Sequence, residues 1–318
     1  MNEIPARRVV IGVLTWNGYE HARACIASLS VLREWPVTVV VVDNGSAEPE
    51  GQRLATEFGV PVSSIRLEPN AKVAGGYNAA VRWAAVHDAT HVLLLNNDTI
   101  VQDRDLLGRL MSATAPDVAA VGPMVLNADG TLYSAGGRIQ WLTGWSRHLK
   151  KPIREDGPYA VEWLDGPCML ISLDAVRRIG GFDAVFVSYW EDVDWCVRAG
   201  HSGYRCLVEP RASILHLRGG SIPSAEGYGF SLRNAILFIR RNGSALNNAT
   251  TIAYYLFRRA PALLLGRKRL TGRSLVPIRA VWEALMWNVR DARSHGHWRL
   301  AARGPSIDEM PRPADGDT

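Results

Sequence analysis

The chain has 318 residues, of which 47% are hydrophobic and 21% charged, so it can form a sizeable core and is not a largely disordered protein. Its four cysteines show no C-x-x-C spacing, which argues against a zinc site or a disulfide framework and fits a reducing cytosol; they are Cys25, Cys168, Cys196 and Cys206. The polar N-terminus leads into a strand without a signal peptide, and no apolar run reaches the roughly 18 residues of a membrane-spanning helix, so we expect a cytoplasmic protein.

Short apolar runs alternate with segments of helical spacing in the first hundred residues. Four runs predict strands, with a helix between each pair; they are Val9–Thr15, Val37–Val42, Val62–Leu67 and Val92–Leu95. This alternation predicts an α/β fold with a doubly wound, mostly parallel sheet and helices on both faces. The strand ends at Thr15, Asp43 and Asn96 would then lie at one edge, where open α/β sheets bind ligands.

Beyond Asp117, strands joined by glycine-rich turns replace this alternation. The further strands that we predict are Val118–Val125, Leu132–Gln140, Tyr204–Val208 and Ala212–Leu217. A loop rich in Trp, Gly and basic residues is predicted for Trp141–Tyr159, and an acidic segment opens a helix that runs to about Ala199. From Tyr228 the chain is predicted to be helical and basic, and no internal repeat is present.

The fourth apolar run ends in Asn96, Asn97 and Asp98. Carboxylate and amide oxygens of this kind suit Mg²⁺ or Mn²⁺ bound together with a phosphate compound. An isolated acid before a helix most often only caps that helix. The polar ends of the neighbouring strands favour a ligand site here.

Asp43 and Gly75-Gly76 are weaker signals in the same half of the chain. After a valine-rich strand, Asp43 can accept a hydrogen bond from a ribose hydroxyl or a base N–H, and an Asx-turn is the alternative. Two glycines allow close approach of the backbone to a ligand, or form a turn. No G-x-G-x-x-G fingerprint follows the first strand, which disfavours a dinucleotide-dependent oxidoreductase.

Three acids lie within four residues at a predicted helix start: Glu191, Asp192 and Asp194. The helix dipole alone favours acids there. Flanking aromatic residues, Trp190 among them, can form a sugar platform and raise the pKa of a carboxyl toward that of a useful base. His216 ends an apolar strand before a glycine-rich segment that suits closure over phosphates, although a lone His is more often structural.

In order and spacing, these residues resemble the inverting glycosyltransferases of family 2, which have the GT-A fold. The motifs that carry the resemblance are Thr15-Trp16-Asn17, Val42-Asp43-Asn44-Gly45-Ser46, Asn70 with Gly75-Gly76-Tyr77-Asn78, Leu94-Leu95-Asn96-Asn97-Asp98, Gly180-Gly181-Phe182-Asp183, Glu191-Asp192-Val193-Asp194 and His216. The chain is most similar to the rhamnosyltransferase-type bacterial subgroup, which builds cell-wall and surface polysaccharides. The resemblance implies metal-dependent, inverting transfer of L-rhamnose from dTDP-rhamnose, or of a sugar from a UDP-sugar, to a hydroxyl of a glycan or polyprenyl-linked acceptor.

The resemblance also implies a role for each matching residue. The residues implied to hold the nucleotide are Thr15, Asn17, Asp43, Asn70, Gly76, Asn78 and Asn97. The implied ligands of Mg²⁺ or Mn²⁺ are Asp98, Asn96 and His216. Because Asn96 replaces the first acid of the family's Asp-x-Asp motif, the cation would depend more on the donor phosphates. Asp192 matches the catalytic base, with Glu191 beside it, and the implied sugar pocket consists of Trp190, Asp194, Gly166 and Arg218.

The implied organisation is a Rossmann-like GT-A catalytic domain over residues 1–225, with a nucleotide-sugar half in 1–115 and an acceptor and catalytic half in 116–225. A basic helical C-terminal region covers residues 226–303. Residues 304–318 are rich in Pro, Asp and Gly, which predicts a mobile tail.

Basic residues are concentrated in the C-terminal third: from Tyr228 onward there are 15 Lys and Arg residues against 6 Asp and Glu residues. Basic amphipathic helices with Trp suit an anionic membrane surface, here the inner leaflet that would present a lipid-linked acceptor. A helical subdomain packed on the catalytic core or on a partner subunit is the alternative, and a homo-oligomer is left open.

Two other functions compete with the transferase. A nucleic-acid-binding protein is disfavoured, because the positive residues lie outside the α/β half and no nucleic-acid motif is present. A non-catalytic sugar-nucleotide binder has Asn96 as its only support.

Overall fold

The computed structural model describes residues 8–34, 37–217, 225–259, 278–294 and 304–313. Within these residues a ten-stranded mixed sheet organises the fold, and a two-stranded sheet lies beside it. The strands are β1 (Val9–Thr15), β2 (Val39–Asp43), β3 (Val62–Arg66), β4 (His91–Asn96), β5 (Thr99–Ile100), β6 (Val118–Asn127), β7 (Leu132–Ser134), β8 (Gly137–Gln140), β9 (Trp145–His148), β10 (Tyr159–Val161), β11 (Cys168–Ser172) and β12 (Arg205–His216).

Helices cover both faces of the large sheet. They are α1 (Tyr19–Ser28), α2 (Glu50–Phe58), α3 (Lys72–Val86), α4 (Leu106–Ser112), α5 (Leu173–Ile179), α6 (Glu191–His201), α7 (Ala225–Asn242), α8 (Ala245–Tyr254) and α9 (Ile278–Ser294). None of the helices in the described ranges combines the length and apolar character that a membrane-spanning segment requires.

The path through the large sheet is β10-β12-β6-β11-β4-β1-β2-β3, with β5 and β7 attached at its side. The first four long strands pair in parallel, as the alternation of apolar runs predicts. The strand β11 pairs antiparallel with both β4 and β6, so it joins the two halves of the sheet. The predicted α/β fold is confirmed, but the described sheet is mixed rather than mostly parallel: four of its strand pairings are parallel and five are antiparallel.

Alternate residues of the central strands supply two cores, one on each face of the sheet. Val40 and Leu94 pack with α3 and α6 on one face. Val41 and Leu95 pack with α1 and α4 on the other. Burial on both faces explains why β2 reads as an unbroken run of Val rather than as an alternating pattern.

Three predicted boundaries in the second half are corrected. The segment predicted as one strand over Leu132–Gln140 forms two strands, β7 and β8, and the predicted Trp141–Tyr159 loop contains β9. The strands predicted over Tyr204–Val208 and Ala212–Leu217 are one strand, β12. Its pairing with β6 shifts register between Glu209 and Ser213. That irregularity explains the break in the apolar pattern.

The predicted mobile tail is corrected for residues 304–313. Gly181 donates a backbone hydrogen bond to Pro305 at 2.8 Å, and the Arg82 guanidinium on α3 donates to the Ile307 carbonyl at 3.0 Å. Met310 is buried in the α3 core. The polar composition of the tail therefore conceals two apolar residues, Ile307 and Met310, that pack against the core.

Candidate active site

Polar strand ends meet at one edge of the sheet, as predicted. Thr15 lies opposite Asp43 in the parallel pairing of β1 with β2, and Leu14 lies opposite Asn96 in that of β1 with β4. Polar residues that follow these strands therefore share one surface at the carboxyl edge, the usual ligand position in such sheets.

Thr15, Asn17 and Asn97 lie together there. The Asn97 amide donates to the Thr15 hydroxyl at 3.3 Å, which donates to Glu50 at 3.1 Å. Asn17 accepts from the Ala47 backbone N–H at 2.8 Å. Sequence reasoning missed Glu50, whose carboxylate also accepts from the Gly18 and Tyr19 backbone at the start of α1. The only indication in the sequence of a role for Glu50 is its position in the first turn of α2.

Asp43 is buried, and its carboxylate accepts hydrogen bonds from protein groups. Its oxygens accept from the Ser46 N–H at 2.9 Å and from the Arg66 guanidinium at 2.8 Å. The Asx-type turn is thus present, and a nucleoside contact stays a prediction that would add to these bonds. The Asn70 side chain accepts from the Lys72 N–H at 2.7 Å, and its nucleotide role likewise stays a prediction.

Gly76 and Asn78 lie within α3, where each has a packing or hydrogen-bonding role, and their expected contact with nucleotide stays a prediction. A Cβ on Gly76 would lie 2.3 Å from the Leu14 side chain, so this glycine lets α3 pack closely on β1. The Asn78 amide is buried, accepts from the Phe182 N–H and donates to the Phe182 carbonyl, both at 2.8 Å. Asn78 therefore fixes the glycine-rich turn that precedes the catalytic segment.

Asp98 and His216, predicted as metal ligands 118 residues apart, are brought together: His216 Nε2 lies 3.1 Å from Asp98 Oδ1. Burial alone would raise the pKa of Asp98, but the hydrogen bond and charge of His216 outweigh it, so the pKa lies below its ordinary value. His216 Nδ1 is buried and has no hydrogen-bond partner among the described residues. The two atoms that face each other are Asp98 Oδ1 and His216 Nε2, and a carboxylate oxygen with an imidazole nitrogen is a donor pair that suits a divalent cation such as Mn²⁺.

Within the described ranges, no group of three or more His, Cys, Asp or Glu side chains could hold a metal ion. Asp98 and His216 therefore fit a cation only if a phosphate compound supplies further oxygens, as is usual for Mg²⁺. The Asn96 side-chain oxygen accepts from the Tyr77 hydroxyl at 2.6 Å, so in this structure it is already engaged.

Tyr77 connects the strand edge to the acidic helix. Its hydroxyl also lies 3.0 Å from the Gly166 carbonyl oxygen, and the Gly166 N–H donates to Asp192 Oδ2 at 3.0 Å. Burial, and then the charges of Glu191 and Asp192, hold the pKa of Tyr77 well above its ordinary value, so the hydroxyl stays a donor. Tyr77 was part of a recognised motif, but its hydroxyl was not identified as functional.

Asp192 and Glu191 are adjacent carboxyls whose protonation is linked. Burial and then the charge of Asp165 raise the pKa of Asp192 to about 6. Burial and then the charge of Asp192 raise the pKa of Glu191 to about 8, and Glu191 Oε2 has no hydrogen-bond partner among the described residues. Both pKa values are thus raised by burial and by neighbouring negative charge, and the two carboxyls behave as a pair that retains a proton near neutral pH.

Two expected pocket residues are buried and contact other parts of the protein, so their place in a sugar pocket stays a prediction. Asp194 is fully buried and forms an ion pair with Arg198 at 2.7 Å, which gives it a structural role. Trp190 is also buried and packs on Phe238 of α7, with ring centroids 5.0 Å apart. Gly166 lies beside Asp192, as described above, whereas Arg218 lies outside the described residues.

Comparison with known proteins adds independent evidence. The profile of "Glycosyl transferase family 2" matches residues 10–180. The "N-acetylglucosaminyl-diphospho-decaprenol L-rhamnosyltransferase" of Mycobacterium tuberculosis (strain ATCC 25618 / H37Rv) is 25% identical over 241 residues, which cover 65% of this chain and 75% of that protein. The "O-antigen biosynthesis protein RfbC" of Myxococcus xanthus is 29% identical over 223 residues, but these are 64% of this chain and only 17% of that protein.

Two solved structures share the fold at low sequence identity. GalNAc-T7 with UDP, GalNAc and Mn²⁺ superposes with a TM-score of 0.62 at 14% identity, covering 92% of this chain and 58% of that one. The mannosyltransferase PcManGT from Pyrobaculum calidifontis, in complex with GDP-Man and Mn²⁺, has a TM-score of 0.55 at 16% identity, covering 91% of this chain and 81% of that one.

Proposed function

The chain belongs to glycosyl transferase family 2, and we propose that it transfers a sugar, with inversion at the anomeric carbon, from a nucleoside diphosphate donor to an acceptor hydroxyl. The observation that carries this proposal is the contact series Asn96–Tyr77–Gly166–Asp192. This series connects the carboxyl edge of the sheet, which is suited to bind a diphosphate, with Asp192, the proposed base. A non-catalytic binder would have no need for this connection.

The proposed reaction is a single displacement in which Asp192 acts as general base. The acceptor oxygen forms a bond to the anomeric carbon, Asp192 takes its proton, and the bond from that carbon to the diphosphate breaks. The N–H groups of Gly166 and Val193 orient the carboxylate, one to each oxygen. Attack opposite the leaving group inverts the configuration, and no covalent bond to the enzyme forms.

Asp98 and His216 would hold Mg²⁺ or Mn²⁺, which would neutralise charge on the leaving diphosphate. Asn96 keeps its bond to Tyr77, and its share in binding the cation stays a prediction. Two solved structures of the same fold contain Mn²⁺, which supports a divalent cation.

We propose L-rhamnose as the transferred sugar and a polyprenyl-diphosphate-linked glycan as acceptor, from the name of the mycobacterial relative. The family resemblance implies dTDP-rhamnose as its donor. A UDP-sugar is the second candidate donor, because Asp43 could pair with the N–H of uracil or thymine. On this proposal the protein acts at the cytoplasmic face of the membrane. Attachment to the inner leaflet, a homo-oligomer and the absence of nucleic acid among its partners stay predictions.

A donor panel tests the proposed function. We expect release of nucleoside diphosphate from one dTDP- or UDP-sugar in the presence of Mg²⁺ or Mn²⁺, and its loss with EDTA. The control variant Asp98→Asn should abolish the metal response because it removes the carboxylate that faces His216. Binding of a donor without turnover, under any metal and acceptor condition, would favour the non-catalytic binder.

The raised pKa of Asp192 predicts the pH dependence of transfer. Only the ionised carboxylate accepts a proton, so kcat/KM for the acceptor should fall about tenfold per pH unit below pH 6 and level off above it. Asp165→Asn removes a neighbouring negative charge and should move the midpoint to lower pH. A rate that stays constant down to pH 4.5 would show that Asp192 is not the titrating base.

A further inference from the structure

The loop that leads into the acidic helix has an unusual backbone. Val187 has φ 62° and ψ −60°, and the Ser188 N–H donates to the Phe186 carbonyl at 2.6 Å. This is a γ-turn of the rare, strained form, here with a β-branched residue at its centre. Tyr189 and Trp190 follow with φ of 66° and 77°. Three of the four residues 187–190, all except Ser188, thus have a positive φ, and such backbone needs external support to persist.

Asn234 on α7 gives that support. This side chain is completely buried, and its amide nitrogen lies 2.6 Å from the Phe186 carbonyl, 2.9 Å from that of Ser188 and 2.7 Å from that of Tyr189. Three carbonyl oxygens thus converge on one NH₂ group. The Arg233 guanidinium donates to the Phe186 carbonyl as well, at 3.1 Å.

The helix that carries Asn234 is in turn fixed by α9. Asn288 is fully buried and donates to the Arg233 carbonyl at 3.0 Å, while Arg240 donates to the Asn288 side-chain oxygen at 2.9 Å. One turn along α7 from Asn234, Phe238 packs against the Trp190 ring. The C-terminal helices therefore contact the loop through both hydrogen bonds and apolar packing.

We propose that Asn234 is a positioning residue for the transfer reaction: it holds the strained loop 186–190 so that Asp192, two residues beyond it, faces the acceptor hydroxyl. This inference rests on the proposed function. The C-terminal helices α7 and α9 are then part of the catalytic unit, not an appendage to it. Asn234 does not touch the nucleotide edge, so its effect should be confined to the transfer step.

The test compares Asn234→Ala with Asn248→Ala. Asn248 is another buried asparagine of the C-terminal helices, and its amide donates to the Ile239 and Ser244 carbonyls, away from the loop. We expect Asn234→Ala to lower kcat for transfer by about 10- to 100-fold while the Kd for the donor stays within twofold. Asn248→Ala should lose thermal stability but keep its kcat.

A second variant keeps the size of the side chain. Asn234→Asp loses the two N–H donors without opening a cavity, and should lower kcat at least as much as Asn234→Ala, since a carboxylate repels the carbonyls. The inference is overturned if either folded variant keeps its kcat within twofold of wild type. It is also overturned if Asn248→Ala lowers kcat by as much as Asn234→Ala does. Absence of transfer by the wild-type protein would instead count against the proposed function.

Discussion

Asp192→Asn is expected to lower kcat for sugar transfer by about 10²–10⁴-fold, the range for loss of a general base. The amide has nearly the same shape as the carboxylate but cannot accept the acceptor proton at neutral pH. Its side-chain oxygen can still accept the Gly166 N–H, which now contacts Asp192 Oδ2, and only the bond from the Val193 N–H to Oδ1 is lost. The fold and the nucleotide edge should therefore be retained.

Two measurements check this result together. Product formation with saturating donor gives kcat, and isothermal titration with the nucleoside diphosphate and cation gives donor affinity, which should match wild type. Asp174→Asn is the matched control, because Asp174 is an exposed acid in the first turn of α5 and should leave both unchanged. Transfer by Asp192→Asn at the wild-type rate would remove Asp192 from the mechanism.

Asp194→Asn, the same chemical change two residues along the helix, is expected to affect stability instead. Asp194 and Arg198 are both buried and form an ion pair at 2.7 Å. The Arg198 guanidinium also donates to the carbonyls of Ile179 and Gly181. Loss of one partner leaves a buried charge without compensation, which costs about 3–5 kcal/mol.

Urea denaturation followed by circular dichroism measures this loss. Asp117→Asn serves as comparison, since Asp117 pairs with Arg205 on the surface and such pairs contribute about 0–1 kcal/mol. A free energy of unfolding within 1 kcal/mol of wild type for Asp194→Asn would show that the buried pair is not structural. The two aspartates of one motif are thus separable by experiment, one through rate and the other through stability.

The sheet could be predicted from the sequence because burial on both faces leaves a local pattern. Each of the first four apolar runs is a strand, and the polar ends of three of them, Thr15, Asp43 and Asn96, lie at the predicted edge. The pairing of Asp98 with His216 was anticipated only through the family resemblance, since no local pattern relates residues so far apart. The break predicted within β12 is only a register shift in a continuous strand, whereas the break between β7 and β8 was not predicted. Both features depend on the partner strands, which the local sequence does not reveal.

Individual roles within motifs were less predictable. Gly76, Asn78 and Asp194 belong to recognised motifs, and the structure gives each of them a packing contact or a buried bond within the protein, which the motifs did not indicate. A motif records that a residue type is needed at a position, whereas its contacts depend on segments far away in sequence. Asn234 illustrates the converse: it lies in a helix without any motif, and its three carbonyl partners are about 46 residues upstream.

The docked tail has a consequence for synthesis of the protein. Met310 completes the core beside α3, and Pro305 accepts the Gly181 N–H. The ribosome makes α3 more than two hundred residues before it makes Met310. The nascent N-terminal half can therefore begin to form its sheet early, but that face of α3 stays uncovered until more than two hundred further residues have been made.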